Sequence, residues 1–307
     1  MRGFRDRAKS PGFKNGALLW GEAAQQTKSG WLEGPRDITS SGDIEIFPKG
    51  HSNIAFRFGG CQFGKLRACG DLRRNMVNLA THALKPITLP TWDHIAQIAK
   101  DIRNTKFAWV FLKADRKDAY KQLPLDPQYG DLSIVALRRP DSGKWNGFTP
   151  KVLLFGAASE VTHYNCFSRA FAVLVNRCCG APLLSYYGDC GAFCPESLGA
   201  KALSTVNEGG DILLILFKKD KSEVGRSVKF LGLPGDFPNP ANGMDLCISL
   251  PQGKTIRWSE IAESTASKGS IPHKDLGKLL GGLSFSQTSV FGKFGGTMLK
   301  SLFGKLR

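Results

Sequence analysis

Acidic residues are scarce in this 307-residue chain: 26 Asp and Glu stand against 42 Lys and Arg, a formal charge of +16. A balance that basic favours a polyanionic partner, although charge alone also fits a merely soluble basic protein. Long hydrophobic runs are missing too. The longest aliphatic stretch, Ile212 to Phe217, is far short of the roughly 20 residues a membrane span needs, and no signal-type apolar segment opens the sequence. No membrane partner is expected. The eight cysteines form no CxxC pair with a partner pair at zinc-finger spacing, which excludes a structural zinc site of that kind. Their simplest state is reduced, in cytoplasm or nucleus. There is no internal repeat and no low-complexity block.

What is present suggests several lobes, since the length allows a large buried core. The opening MRGFRDRAKSPGFKNG is basic and poor in apolar residues, and residues 1–40 are expected to be a flexible, solvated arm. Ala55 to Asn75, AFRFGGCQFGKLRACGDLRRN, reads as paired strands carrying cations. Thr91 is placed to cap a helix whose Ile95, Ile98 and Ile102 recur at helical spacing. Phe107 to Leu112 reads as a buried strand; Ser133 to Arg138 and Lys151 to Phe155 read as further strands, separated by the turn-rich PDSGKWNG. From Ala158, the apolar positions Val161, Tyr164, Phe167, Phe171, Leu174 and Cys178 trace a long amphipathic helix. Leu183 to Tyr187 and Cys190 to Phe193 form a hairpin around Gly188 and Asp189. Ser197 to about Asn207 is expected to be helical and Ile212 to Phe217 extended. Val228 to Leu233 and Met244 to Leu250 are expected as strands flanking a Pro- and Gly-rich loop. The tail after Pro251 is helix-like and basic. Gly281-Gly282 and Gly295-Gly296 interrupt its helical pattern, each at about 1 kcal/mol relative to Ala. Strands bearing acids at their ends beside this hairpin favour an α+β class.

Two segments carry chemistry. KADRKDAYKQLPL sets Asp115 just beyond an apolar run, with Tyr120 following; SYYGDCGAF sets Asp189 in a hairpin turn. Together with LLFGAASEVTHYNCFSRAF and KLRACGDLR, they resemble the reverse transcriptase family over about Ile54 to Leu302. Within it they look most like the enzymes of DIRS-type retroelements.

The resemblance implies a right-hand polymerase fold with an antiparallel palm sheet: fingers over 41–106, palm over 107–227, primer grip and thumb over 228–307. It implies RNA-directed DNA polymerisation on an RNA or DNA template with primer, using deoxynucleoside triphosphates. Two Mg²⁺ ions, or Mn²⁺, would be held by Asp115 and Asp189, because hard divalent cations prefer oxygen ligands. Tyr120 takes the place of the family's gate against a ribose 2′-hydroxyl. Gly156 and Ser159 match the turn where backbone approaches nucleotide and templating base. Lys65, Arg67 and Arg73 match fingers positions that grip triphosphate and template. Lys221 matches a lysine that assists protonation of pyrophosphate, and Phe230, Leu231 and Gly232 match the primer-grip hairpin.

The hairpin departs from the family's Tyr-x-Asp-Asp. In one register Gly188 stands where the first aspartate belongs; in the other Cys190 replaces the second. Neither restores the pair. A lost carboxylate should cost at least the roughly 10–100-fold of outer-shell changes, so a weak or inactive polymerase is expected. A non-catalytic nucleic-acid-binding remnant is the rival. No ribonuclease H, integrase or protease motif is recognised, and the chain reads as a fragment of a larger polyprotein.

Overall fold

The computed structural model describes residues 15–38, 54–62, 65–73, 76–81, 87–237, 245–289 and 296–304. In chain order its main elements are α1 (Gly16–Lys28), β1 (Leu32–Asp37), β2 (Ile54–Gln62), β3 (Lys65–Gly70), α2 (Trp92–Ile102), β4 (Trp109–Asp115), β5 (Ile134–Arg138) and β6 (Trp145–Pro150). Then come α3 (Ala158–Cys179), β7 (Leu184–Tyr186), β8 (Asp189–Pro195), α4 (Gly199–Ile212), β9 (Glu223–Gly225), β10 (Ser227–Phe230), β11 (Leu233–Asp236), β12 (Cys247–Ile248), α5 (Gln252–Lys268), α6 (His273–Ser286) and α7 (Gly296–Gly304). The chain divides into two discontinuous units, Met1–Ile87 with Asp118–Phe167, and Thr88–Lys117 with Ser168–Arg307.

The first unit is built on a five-stranded sheet of order β1-β6-β5-β2-β3, antiparallel except for the β2–β5 pair. Helix α1 covers it. Leu19 and Ala23, four residues apart on one helix face, pack with Leu32, Val135, Leu137 and Phe148. Over Gly16–Asp37 this corrects the expectation of a flexible arm. From Gly16 onward the chain is helix and then strand, because two small-to-medium apolar residues at helical spacing suffice to seat it. Residues 1–14 and 39–53 lie outside the described set. The strand expected at Lys151 to Phe155 is also displaced: the ladder occupies Trp145–Pro150. Leu153 and Leu154 are buried, and Leu153 donates its N–H to Leu123 O at 3.1 Å rather than extending the ladder.

The second unit carries a four-stranded antiparallel sheet, β7-β8-β4-β9, and a three-stranded one, β10-β11-β12. Its core forms around Phe111, whose ring stacks on Phe237 at 4.3 Å and meets Phe193 and Phe230 edge-on at 5.2 Å each. Edge and offset contacts of this kind suit the aromatic quadrupole. Helix α2 joins the core through Trp92, Ile95 and Ala99, and its first turn is fixed by His94, whose Nδ1 accepts the Thr91 N–H at 3.0 Å. Strand β4 begins two residues later than expected, leaving Phe107 61% exposed, and runs on to include Asp115.

Helix α4 extends through Gly209-Gly210 to Ile212, so the expected strand at Ile212 to Phe217 does not form. Gly210 explains this: a Cβ there would stand 2.7 Å from Ile215 O and from the Phe217 ring. The chain folds back onto the helix at that point, Leu214 takes φ 58°, and Ile212 and Leu214 are left 80% and 83% exposed. Gly282 is likewise a packing requirement, since a Cβ would reach the Trp258 indole at 2.5 Å. The expected strand Val228 to Leu233 is instead a hairpin that turns at Leu231 and Gly232, with φ 48° and 81°. Leu276, Leu280 and Leu299 tie α6 to α7.

Candidate active site

Strands β4 and β8 pair residue by residue from Trp109↔Pro195 to Asp115↔Asp189. The last pair sets the two aspartates directly opposite one another, where side chains project to the same face of the sheet. The turn beyond them is Tyr187-Gly188, because Tyr186↔Asp189 closes the β7–β8 ladder. Gly188 is therefore a turn residue and Asp189 the first residue of the return strand.

Tyr187 takes φ 50°, which L-residues rarely adopt, and polar groups hold it there. The Arg116 guanidinium donates to Tyr187 O at 3.1 Å and to the Ser168 hydroxyl. Ser168 Oγ donates to the same carbonyl at 2.8 Å, and the Arg116 N–H donates to Gly188 O at 2.8 Å. Arg116 is only 1% exposed and lies over the Phe171 ring at 5.0 Å. A buried arginine thus clamps the hairpin tip from the residue next to Asp115.

The aspartates face lysines. Segment 216–218 runs beside the end of β4: the Lys117 N–H donates to Leu216 O at 2.8 Å and the Lys218 N–H to Asp115 O at 2.7 Å. That pairing brings Lys218 Nζ to 3.4 and 3.3 Å from the two Asp115 carboxylate oxygens, and Lys221 Nζ lies 3.8 Å from Oδ2. Lys113 is paired with Glu223 at 3.0 Å. Burial pushes the Asp189 carboxyl above its ordinary range, and the negative charge of Asp115 adds to that; Lys113, Lys218 and Lys221 pull the other way.

Two adjacent carboxylates are the right kind of donor for a hard divalent ion. As folded, however, Lys218 bridges both Asp115 oxygens, and Asp189 is pushed towards its neutral form. Among the described residues, no group of three or more His, Cys, Asp or Glu side chains comes together. The donor set fits a divalent ion poorly unless Lys218 is displaced.

Tyr120 lies in the first unit, 8% exposed, stacked on Tyr164 at 4.5 Å and tilted against Phe155 at 4.9 Å. Gly156 in the same unit has φ 122°, and a Cβ there would sit 2.2 Å from Gly70 O, so only glycine fits. Asn78 fixes this turn, donating to Gly156 O at 2.9 Å and accepting the Ala158 N–H at 2.8 Å. Ser159 is half-buried in the first turn of α3. Arg67 and Arg73 are exposed; Lys65 begins β3, and its side chain lies outside the described set. In the second unit, Phe230, one of the three residues matched to the primer-grip hairpin, is fully buried in the aromatic core. What that hairpin offers outward is the Leu231-Gly232 turn.

Lys218, Arg116 and Asn78 escaped the sequence reading. Lys218 had a faint signal, the run FKKDKS, but nothing marked which lysine returns to Asp115. Arg116 follows a singled-out acid directly, but nothing in the local sequence marks it as buried.

No family model and no curated protein matches the sequence. The chain is a mixed α/β structure with antiparallel sheets and a reverse-transcriptase-like fold. Among the solved structures it is similar to is the foamy viral protease-reverse transcriptase in complex with double-stranded DNA, with a TM-score of 0.57 and 17% identity over 91% of this chain. This chain spans 41% of that one. Among the described residues no helix is long and apolar enough to cross a membrane.

Proposed function

We propose that this chain is a reverse-transcriptase-like domain that binds primer and template, and that its RNA-directed DNA polymerisation is weak or absent. The observation that carries the reading is the Asp115–Asp189 cross-strand pair at the end of β4 and β8, in a reverse-transcriptase-like fold. In this reading residues 41–106 are fingers, 107–227 palm and 228–307 primer grip and thumb. The net charge of +16 suits a phosphodiester backbone, and nucleic-acid binding should weaken steeply with salt. Deoxynucleoside triphosphates are the proposed substrates. Any residual turnover would need Mg²⁺ or Mn²⁺ at Asp115 and Asp189, in competition with Lys218.

The impairment has two supports. Gly188 brings no carboxylate to the turn, which favours the register in which the first aspartate of the pair is the one lost. Lys218 occupies the oxygens of Asp115. The rival reading, a binding module without turnover, draws on the same two facts.

Primer extension on a primed RNA template, with Mg²⁺ and separately with Mn²⁺, tests the proposal on the wild type and on Gly188→Asp. The wild type should extend poorly or not at all, and the variant should extend at least about tenfold better. Full wild-type activity that the variant leaves unchanged would sink the impairment. Salt-dependent duplex binding with no extension by either protein would select the binding module.

A further inference from the structure

We infer that Lys218 is a built-in counter-ion that stands in for a divalent cation at the Asp115–Asp189 pair, so that this face meets a phosphodiester backbone without metal. Backbone contacts fix where the Lys218 side chain starts. Lys218 donates its N–H to Asp115 O, and its own carbonyl accepts the Ser222 hydroxyl at 3.0 Å and the Lys221 N–H at 3.1 Å. One residue earlier, Phe217 forms a β-bridge with Arg116 and packs on Phe171 at 5.7 Å. Gly210 leaves the space its ring fills. With both flanks pinned, the Lys218 side chain starts beside Asp115 and spans its two oxygens.

The charges then add up in one direction. Lys113 is committed to Glu223, while Lys218 and Lys221 both turn to Asp115. A divalent ion approaching Asp115 must break a two-oxygen contact and sit within a few ångströms of two ammonium groups. An exposed surface ion pair would yield easily, contributing little. This one is partly buried on both sides, with Asp115 only 20% exposed, where such repulsion is poorly screened. The ammonium also offers what a metal would offer a phosphate, a positive charge next to the carboxylates. That last step rests on the nucleic-acid reading given above; the exclusion of metal does not.

The test uses the full chain and has two arms. Mn²⁺ binding is followed by electron paramagnetic resonance in the absence of nucleic acid for wild type, Lys218→Met and Lys218→Arg. Lys218→Met should bind Mn²⁺ roughly 10–100-fold more tightly, and Lys218→Arg, which keeps the charge, should resemble the wild type. Unchanged Mn²⁺ affinity in a Lys218→Met protein that melts cooperatively, or a gain in the Arg variant as large as in the Met variant, overturns the inference. In the second arm, fluorescence anisotropy measures binding of a primer–template duplex in EDTA and in Mg²⁺. The wild type should bind equally in both, whereas Lys218→Met should weaken in EDTA and recover in Mg²⁺. Wild-type binding that requires Mg²⁺ overturns the stand-in role. A duplex that binds in neither condition defeats the nucleic-acid reading while leaving the Mn²⁺ result to judge the counter-ion.

Discussion

Two hairpins of the second unit turn in the same number of residues and are held by opposite means. At Tyr187-Gly188 the tip is tethered by a buried cation and two serines; at Leu231-Gly232 the flanking Phe230 drops into an aromatic core and Gly232 lies under Phe285. Both force a non-glycine residue to positive φ, at 50° and 48°. An apolar anchor can be satisfied by many neighbours of the right volume, whereas a polar one demands named partners at fixed distances. The polar hairpin is the one that bears Asp189. Its geometry is therefore specified at the point where two partly buried carboxylates lie opposite one another.

The sharpest way to break the comparison is to remove each anchor. Phe230→Ala should cost about 3–5 kcal/mol in global stability, read by denaturant unfolding, since it empties a fully enclosed site. Arg116→Met should cost about 3 kcal/mol, because it leaves the Tyr187 carbonyl and the Ser168–Ser185 pair short of a donor. The two losses should differ in kind. Hydrogen exchange should show residues 186–189 loosened selectively by Arg116→Met, while Phe230→Ala lowers protection throughout the aromatic core; equal patterns would mean that the anchors are not distinct. Gly232→Ala should cost about 1 kcal/mol, since its φ of 81° is unfavourable for any side chain. The smallest effect is one of pH and belongs to the polar hairpin alone. The Asp189 carboxyl is raised in the folded state, so its contribution is complete below its unfolded value and is lost as pH rises through the folded one. Asp189→Asn should flatten the fall in melting temperature over that window, and Gly232→Ala should leave the slope as it is.

Local signals were legible. The Thr91 cap with the isoleucine stripe after it, the amphipathic run from Ala158, and the paired strands around Arg57 to Gly70 all form where residue spacing predicts, because each depends on neighbours within a few turns or one hairpin. The juxtaposition of Asp115 and Asp189 came from resemblance, not spacing, and the β4–β8 ladder realises it. The errors came where apolar runs carry no period. Lys151 to Phe155 and Ile212 to Phe217 both look extended; one is packed without a ladder, and the other reverses on Gly210, whose role appears only once Phe217 is in place. The role of Lys218 could not be singled out from its lysine run for a related reason. It meets Asp115 across 103 residues of chain, through a backbone pairing no local pattern announces.

Ile212 and Leu214 hold two branched aliphatic side chains out in water two positions apart in sequence. On a molecule carrying +16, mutual repulsion keeps such patches from meeting while ionic strength is low. Added salt shortens the reach of that repulsion to about 8 Å near physiological strength and less above it. Concentrated preparations should accordingly grow cloudier, not clearer, as sodium chloride is raised, and swapping Leu214 for serine should move that threshold upward.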